Sequence, residues 1–347
     1  MQTAHKIVIG NSQKLTFLKD NSIDLVVTSP PYPMIKMWDN VFNEMNSRID
    51  SNLIESDSQL AFELMHQELD KVWGELSRVL KPGGFVCINI GDAARSTDGF
   101  SLFSNSARII NKMTELNFSN LPPIIWMKTT NSPTKFMGSG MLPAGAYVTL
   151  ENEYILIFRK GQKRVFKNQN SHNRYESAYF WSERNVWFSS FWKLPGVRQQ
   201  TKNGEKRERN GAYPLELPWR LINMFSVYGD NVLDPFLGTG TTALASMMSA
   251  RNSYSVEIDE TILNNFQNNK KNLIELTRSR YLDRINDQSE FIKSREKKPN
   301  YYNENLGIHV MTSQETKIRF FEIDSIENYA EGYKVEHTPI KLQEKLF

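Results

Sequence analysis

The 347-residue sequence has one cysteine and no long apolar run. Because Cys87 stands alone, a disulfide within the chain and a cysteine-rich zinc site are both excluded, and its place in the apolar stretch FVCIN predicts an inert core residue. A membrane-spanning helix needs about 18 or more consecutive apolar residues, and none occur. The N-terminus MQTAHKIVIGNS also lacks the charged start and apolar stretch of a signal peptide. These absences predict a cytoplasmic protein with no membrane contact and no metal site.

The net charge of +3 is too small to indicate a nucleic-acid-binding protein by itself. The charge is unevenly distributed, because 13 Lys and Arg against 4 Asp and Glu between Arg159 and Arg209 give this stretch +9 and leave −6 for the rest. Residues 161–210 contain few periodic apolar runs, and aromatic residues are spread among the cations. They are Phe166, Tyr175, Tyr179, Phe180, Trp181, Trp187, Phe188, Phe191 and Trp192. Such a mixture suits contacts with phosphates and bases, so we predict a DNA-facing segment, with a solvated surface loop as the alternative.

Outside this segment, apolar patterns predict strands that alternate with helices. Residues 23–28 (IDLVVT) form the continuous apolar run typical of a strand buried on both faces, and residues 58–80 repeat apolar positions at helical spacing. Further strands are predicted at 85–90, 124–128, 151–160, 231–236 and 253–259, and further helices at 104–118, 213–226, 241–250 and 261–296. This order predicts an α/β fold around a mostly parallel sheet, followed by a short β-like tail.

A glycine-rich turn joins the predicted strand at 231–236 to the next helix. Gly238-Thr-Gly240-Thr-Thr-Ala243 fits the pattern GxGxxG/A, and Glu257 ends the following strand about 20 residues later. Glycines allow the backbone to approach a ligand closely, a helix N-terminus favours a negative group, and a carboxylate accepts hydrogen bonds from ribose hydroxyls. The turn therefore predicts an adenosine-type cofactor, although NAD fits the spacing too and a connection without a ligand is the alternative.

Two motifs resemble those of the amino-directed DNA methyltransferases. DPFLGTGTT (234–242) is similar to their cofactor motif and TSPPY (28–32) to their catalytic motif, while LKPGG (80–84) and AYPLELPWRLI (212–222) resemble further family elements. The order, with the catalytic motif first, resembles the permuted β group, in which a DNA target recognition region lies between the two halves. The resemblance covers roughly residues 10–275. It implies a Rossmann-like fold that uses S-adenosyl-L-methionine to methylate double-stranded DNA.

The resemblance also implies roles for individual residues around the cofactor. The residues that would line its methionine end are Asp234, Phe236, Gly238, Gly240 and Thr241. Glu257 would hold the ribose. Asn11 stands where many members place an aspartate against the adenine, and Tyr213 precedes Pro214 where a histidine is frequent.

The SPPY loop carries the groups that methylation of a base amino group requires. Such an amino group is a poor nucleophile because its lone pair is delocalised into the ring. If the Ser29 hydroxyl and the Pro30 carbonyl accept hydrogen bonds from its two N–H groups, they draw the nitrogen toward tetrahedral geometry and aim its lone pair at the donor methyl. Pro30 and Pro31 fix φ and thereby the carbonyl direction. Tyr32 would stack on a base flipped out of the duplex.

The residue at the first motif position bears on which base is modified. Family members with Ser there are mostly cytosine-N4 enzymes, whereas Asp is usual for adenine-N6 enzymes, so Ser29 implies N4-methylcytosine, with adenine-N6 as the alternative. Cytosine-C5 chemistry needs a cysteine nucleophile, and Cys87 lies in mid-strand with no proline before it. Asn89 faces the same strand end, and Asp92 either assists proton removal or caps the following turn.

These inferences divide the chain into four parts. Residues 1–160 form the catalytic half, 161–210 the target recognition region, 211–275 the cofactor-binding half, and 276–347 a C-terminal helical and β appendage of unassigned role. Within 192–211 the residues expected against DNA are Arg198, Gln199, Gln200, Lys202, Lys206 and Arg207. The loop Met34 to Asp57 either closes over the flipped base or is a mobile insertion.

The sequence is compatible with three functional classes, of which a DNA methyltransferase is the first. Enzymes of the resembled family usually protect DNA from a restriction endonuclease, so we expect a functional pairing with one and no physical complex. An NAD-dependent oxidoreductase would leave SPPY and the basic segment unexplained. A non-catalytic DNA-binding module that has kept the fold is the third class.

Overall fold

The computed structural model describes residues 1–54, 57–96, 100–129, 137–138, 141–196, 213–297 and 299–342. Its strands are β1 (Gln2–Ile9), β2 (Ile23–Thr28), β3 (Leu80–Ile90), β4 (Ala93–Ser96), β5 (Phe100–Phe103), β6 (Phe118–Thr129), β7 (Met137–Gly138), β8 (Ala146–Tyr147), β9 (Asn152–Lys160), β10 (Phe191–Pro195), β11 (Asn231–Asp234), β12 (Asn252–Glu257), β13 (Tyr301–Asn303), β14 (Ile308–Val310), β15 (Phe321–Tyr329) and β16 (Gly332–Pro339). Its α-helices are α1 (Asp39–Met45), α2 (Arg48–Ile54), α3 (Ser58–Val79), α4 (Asn105–Glu115), α5 (Gln169–Glu176), α6 (Trp181–Trp187), α7 (Glu216–Phe225), α8 (Thr241–Met248), α9 (Leu263–Lys270) and α10 (Leu273–Lys293), and short 3₁₀ helices cover Lys36–Trp38, Glu260–Ile262 and Ser313–Lys317.

Ten strands form one sheet in the order β10-β6-β9-β3-β2-β11-β12-β1-β16-β15. The five central strands from β3 to β1 are parallel to one another. β9 runs antiparallel to both of its neighbours, β3 and β6, and β10 pairs in parallel with β6. At the other edge the hairpin of β15 and β16 is added antiparallel to β1. The predicted α/β fold with a mostly parallel sheet is confirmed.

Strand β2 shows why the centre of the sheet is apolar at every position. All six of its residues are buried. Val26 belongs to the core on the face covered by α3, whereas Leu25 and Val27 belong to the core on the face covered by α7 and α8. Because side chains of a strand alternate between faces, a strand covered on both sides has no position for a polar residue except near its ends.

Helix α3 begins and ends as its sequence predicts, and β3 follows without a loop. Asp57 caps the helix by accepting a hydrogen bond from the Leu60 N–H at 3.0 Å, an arrangement that satisfies one of the free N–H groups of the first turn. β3 already starts at Leu80 and so includes the KPGG stretch that was expected to precede it. A Cβ on Gly84 would lie 2.8 Å from the Asp24 carbonyl oxygen, so glycine allows β2 and β3 to approach closely here.

The C-terminal region is more closely built into the fold than a β-like tail implies. Strand β16 pairs with β1, and its register places Gly332 opposite Lys6 and Val335 opposite Thr3. The single helix expected over 261–296 is wrong, because a turn at Lys271 and Asn272 separates α9 from α10. None of the helices in the described ranges combines the length and apolarity that crossing a membrane requires.

Several aromatic residues of the basic segment at 161–210 are buried in the protein core. Trp187 at the end of α6 and Trp192 in β10 are buried in the core, and the indole N–H of Trp192 donates to the Trp187 carbonyl at 3.0 Å. Phe180 is also fully buried and contacts Phe320 of the C-terminal region at 5.8 Å between ring centroids. The expectation that the aromatics of this segment face DNA is therefore wrong for these three residues, whose rings pack the protein.

Candidate active site

A cavity of about 650 Å³ lies where the parallel strands end. Its wall includes the loop Ser29 to Tyr32 after β2 and the glycine turn after β11. Ligands of open α/β sheets bind at this edge, because loops following neighbouring strands open toward the same side there. The two motifs identified in the sequence, although separated by more than half of the chain, thus share one cavity.

A hydrogen bond joins the strands that carry the two motifs. β2 and β11 are neighbours with Leu25 opposite Val232 and Val26 opposite Leu233. At their ends Thr28 donates its hydroxyl proton to Asp234 Oδ1 at 2.7 Å, and the same oxygen accepts from the Phe236 N–H at 3.1 Å. Asp234 is buried and is not among the residues that line the cavity, so its role in the described contacts is to hold the motifs in place.

The environment of Asp234 disfavours its charged form. Burial raises the pKa of Asp234 to about 6, although the hydrogen bond from Thr28 opposes the shift. Its second oxygen, Oδ2, is buried and has no hydrogen-bond partner among the described residues. A buried carboxylate oxygen without a donor is costly, in agreement with the raised pKa of Asp234.

The glycine turn adopts the backbone conformation that its sequence requires. Gly238 and Gly240 have positive φ values of 52° and 81°, and Gly240 is the N-cap residue directly before α8. A Cβ on Gly240 would lie 2.2 Å from Cδ2 of Phe266. Phe236, Gly238 and Thr241 line the cavity, whereas Gly240 is not among its lining residues. The turn therefore presents backbone to the cavity at the N-terminal end of a helix.

Glu257 lies at the rim of the same cavity with its carboxylate held by backbone groups. Oε2 accepts from the Gly238 N–H at 2.8 Å, and Oε1 accepts from the N–H groups of Ile258 at 2.9 Å and Asp259 at 3.0 Å. Burial raises the pKa of Glu257, and the three N–H groups act against that shift. Asn11 lines the cavity beside it, because Ile9 and Glu257 are opposite each other in the parallel strands β1 and β12.

The SPPY loop leaves β2 as soon as proline interrupts strand pairing. Pro30 is buried, while Ser29, Pro31 and Tyr32 are partly exposed and line the cavity. The Ser29 hydroxyl lies 3.1 Å from the Tyr32 hydroxyl. Among the described residues, none donates a hydrogen bond to the Pro30 carbonyl. The loop therefore offers one hydroxyl, one free carbonyl and one aromatic ring at the cavity wall.

Asn89 and Glu153 hold the Tyr32 side chain through hydrogen bonds. The Tyr32 hydroxyl donates to Glu153 Oε2 at 2.9 Å, and Asn89 Nδ2 donates to the Tyr32 hydroxyl at 2.8 Å and to Glu153 Oε2 at 2.6 Å. Lys128 forms an ion pair with Glu153 Oε1. Burial and the neighbouring Glu153 carboxylate raise the pKa of Tyr32 well above its usual value, so the phenol keeps its proton.

Glu153 and Lys128 are site residues that the sequence analysis missed. Both line the cavity with Trp126 and Asn89. Glu153 stands at the start of β9. Because β9 runs antiparallel to β3, it starts at the edge of the sheet where β3 ends. A signal was present in the sequence, because ENEYILIF places an acidic residue at the boundary of an apolar run.

Asp92 does not contact the cavity and serves as a helix cap. Its Oδ1 accepts a hydrogen bond from the Ser106 N–H at 2.9 Å, at the first turn of α4. Of the two roles considered for Asp92, the described contacts show a capping one. Nearby, Asn105 donates to the carbonyls of Pro33 at 3.1 Å and Gly91 at 2.9 Å, and so ties the end of the SPPY loop to the end of β3.

Tyr213 lies at the cavity wall, and its hydroxyl forms a hydrogen bond with that of Thr242 in α8. Burial raises the pKa of Tyr213 well above its usual value. The residues predicted to contact DNA, Arg198, Gln199, Gln200, Lys202, Lys206 and Arg207, lie outside the described residues.

Comparison with known proteins identifies the family. A sequence profile described as DNA methylase matches residues 23–270, which include both motifs and the cavity residues between them. The chain belongs to the DNA methylase family. This assignment favours the methyltransferase interpretation of the glycine turn over an NAD-dependent oxidoreductase.

Two archaeal relatives match most of this DNA methylase. The type II methyltransferase M.MthZI of Methanothermobacter thermautotrophicus is 50% identical over 325 residues, which are 92% of this chain and 91% of that protein. The type II methyltransferase M.MjaI of Methanocaldococcus jannaschii is 48% identical over 272 residues, which are 75% of this chain and 89% of that protein.

Solved structures agree with the fold. A DNA modification methylase of Thermus thermophilus, TTHA0409, in complex with S-adenosyl-L-methionine, superposes with a TM-score of 0.59 at 31% identity and covers 75% of this chain and 90% of that chain. The PvuII DNA methyltransferase, which is cytosine-N4-specific, superposes with a TM-score of 0.52 at 19% identity and covers 76% of this chain and 86% of that chain. At that identity the second likeness supports the fold alone.

Proposed function

We propose that this DNA methylase transfers a methyl group from S-adenosyl-L-methionine to the exocyclic N4 amino group of a cytosine that has been flipped out of double-stranded DNA. The observation that carries the proposal is the shared cavity. Ser29, Pro30 and Tyr32 meet the glycine turn and Glu257 there, so a base amino group and an adenosine cofactor would lie side by side.

The residues present fit S-adenosyl-L-methionine. Glu257 offers a carboxylate for two ribose hydroxyls, Asn11 lies beside it, and the turn from Phe236 to Thr241 offers backbone at a helix N-terminus. The likeness to TTHA0409, which binds this molecule, supports the same choice. When bound, the cofactor supplies a methyl group on a sulfonium, which is a strong electrophile.

The chain's own contribution is to orient and activate the amino group. The Ser29 hydroxyl and the Pro30 carbonyl are acceptors for its two N–H bonds, and they stabilise the tetrahedral nitrogen that forms only as the methyl is transferred. The ring of Tyr32 stacks on the base and offsets part of the unstacking energy, which is a few kcal/mol for a flipped nucleotide. Pro30 and Pro31 keep the carbonyl preorganised.

The choice of cytosine-N4 rests on the resemblance carried by Ser29. The family includes enzymes for cytosine-N4 and for adenine-N6. We propose that Arg198, Gln199, Gln200, Lys202, Lys206 and Arg207 contact the DNA target, and that methylation protects the site from a restriction endonuclease, as the names of the type II relatives suggest.

Transfer of radiolabel tests the function directly. We expect the chain to move tritiated methyl from S-adenosyl-L-methionine to duplex DNA, and to bind S-adenosyl-L-methionine in a calorimeter in preference to NAD. Label that stays with the cofactor for every duplex, genomic DNA of varied composition included, would refute the proposal. Sequencing the methylated sites in a host that expresses the chain then identifies the recognition sequence.

A further inference from the structure

Glu153 is the centre of the polar network beneath the SPPY loop. Its side chain is 12% exposed, and it receives three donors, namely the Tyr32 hydroxyl, the Asn89 amide and the Lys128 ammonium. Its position follows from strand pairing, because Glu153 in β9 lies opposite Trp126 in β6, and β9 pairs on its other side with the part of β3 that carries Asn89. Lys128 balances the negative charge of the carboxylate.

The carboxylate determines the direction of every hydrogen bond in this network. An ionised carboxylate accepts only, and a tyrosine hydroxyl has a single proton. The Tyr32 proton is therefore donated to Glu153, so the Tyr32 oxygen is an acceptor toward its other two neighbours, Asn89 at 2.8 Å and Ser29 at 3.1 Å. It follows that the Ser29 hydroxyl donates its proton to Tyr32 and that the lone pairs of Ser29 Oγ remain available to a ligand.

The same reasoning fixes the amide of Asn89. Both hydrogens of its Nδ2 are used, one toward the Tyr32 hydroxyl and one toward Glu153. Its oxygen Oδ1 must then point the other way, and this atom is buried without a hydrogen-bond partner among the described residues. Asn89 itself is 2% exposed and lines the cavity. The Glu153 carboxylate thus fixes the orientation of the Asn89 amide as well as the proton of the Tyr32 hydroxyl.

We propose that Glu153 is a positioning residue that sets Ser29 Oγ as a hydrogen-bond acceptor for the amino group to be methylated, beside the Pro30 carbonyl. This inference rests on the proposed function and adds what fixes the direction of the Ser29 hydroxyl. Without the carboxylate, the Tyr32 hydroxyl can donate to Ser29, and the Ser29 proton then points at the N–H bonds of the base. Two donors that face each other would oppose the tetrahedral geometry that methyl transfer requires.

The substitution Glu153→Gln tests the proposal because it keeps the shape and adds donors. We expect the single-turnover rate of methyl transfer to fall by about 100-fold, the loss typical for one preorganised polar contact to a transition state. The Kd for S-adenosyl-L-methionine should stay within about threefold, since the loss concerns an interaction made in the transition state. The matched control is Glu322→Gln in β15, a carboxylate with 14% side-chain exposure in an ion pair with Arg278; it should keep the rate.

A double-mutant cycle separates positioning from a merely structural ion pair. Tyr32→Phe removes the hydroxyl that connects Glu153 to Ser29. In this background the loss of rate caused by Glu153→Gln should be at least about tenfold smaller than in the wild type. A factor of ten corresponds to a coupling energy in the usual range for residues in contact. Thermal melting of each variant checks that folding is kept. A Glu153→Gln rate within about threefold of the wild type, or an equal loss in both backgrounds, would overturn the inference.

The failure of the inference differs from failure of the proposed function. If the wild-type chain transfers no methyl to DNA, the proposed function is wrong and the acceptors lose their purpose with it. If the wild type is active and Glu153→Gln is equally active, only the role of Glu153 is wrong.

Discussion

Thr28 and Asp234 are joined by a hydrogen bond of 2.7 Å that links the last residue of β2 to the last residue of β11. Each of these residues directly precedes a loop that lines the cavity, so one contact aligns the SPPY loop with the glycine turn. Its strength depends on the protonation of Asp234, because burial raises the pKa of this carboxyl group to about 6 from the usual 3.8.

The raised pKa predicts a pH dependence of stability. Between about pH 4 and pH 6 the folded chain binds a proton that the unfolded chain has released, so the contribution of Asp234 to the free energy of unfolding increases as the pH falls through this window. Relative to Asp234→Asn, the wild type should gain about 2 kcal/mol of unfolding free energy between pH 7.5 and pH 4.5. Urea unfolding at both pH values measures the difference. Asp57→Asn, at an exposed helix cap, is the control, and a difference between wild type and Asp234→Asn that does not change with pH would contradict the assignment.

Ser29→Ala tests the acceptor role of the loop. Removal of one preorganised group should lower the rate of methyl transfer by about 100-fold to 1,000-fold, while binding of S-adenosyl-L-methionine is kept. Ser22→Ala is the matched control, because Ser22 precedes the other end of β2 and its hydroxyl donates to the Lys19 carbonyl at 2.6 Å. Stopped-time assays with labelled cofactor measure both variants. Unchanged transfer by Ser29→Ala would remove Ser29 from the mechanism.

Glu257→Gln tests the cofactor site. The amide replaces a charged acceptor toward the ribose hydroxyls, and hydrogen bonds to charged groups are worth about 1.5–3 kcal/mol, so the Kd for S-adenosyl-L-methionine should rise about 10-fold to 100-fold. Calorimetry provides the measurement. Glu260→Gln, three residues further along the chain and outside the cavity lining, should bind as the wild type does. Equal affinity of Glu257→Gln and wild type would show that the ribose is held elsewhere.

Gly332→Ala tests the attachment of the C-terminal hairpin to the sheet. Gly332 has φ of +149°, and a Cβ there would lie 2.0 Å from the His5 carbonyl oxygen, so we expect the pairing of β16 with β1 to be disrupted and the melting temperature to fall. Gly74→Ala in α3 is the control with the opposite sign. Apart from its chain neighbours and the backbone of its own helix, no atom of the described residues lies within 4 Å of a Cβ there, and alanine should stabilise the helix by about 0.5–1 kcal/mol. A Gly332→Ala variant as stable as the wild type would contradict the pairing.

The sequence was sufficient to bring the two motifs together. Ser29 and Gly238 each follow an apolar strand, and the carboxyl ends of parallel strands share one edge, so their common cavity follows from strand type alone. Glu153 could not be placed in the same way. It begins a strand whose direction is reversed, and the apolar pattern of that strand is the same in either direction.

Two further features depend on contacts between distant parts of the chain. Trp187 and Trp192 look like base-stacking residues in a cationic segment, yet the core between β6 and α7 takes up both rings. Similarly, nothing local in GYKVEHTP indicates that β16 pairs with the first strand of the chain. The composition of a segment shows which contacts its side chains are able to make. Whether these side chains face solvent, DNA or the protein core depends on the tertiary fold.

The identity of the methylated base decides whether Ser29 directs methylation to cytosine. DNA modified by the wild-type chain should be digested to nucleosides and analysed by mass spectrometry. We expect N4-methyldeoxycytidine from the wild type and a strongly reduced amount of it from Ser29→Ala. N6-methyldeoxyadenosine as the sole product would contradict the cytosine assignment, and unmodified DNA would contradict the proposed function itself.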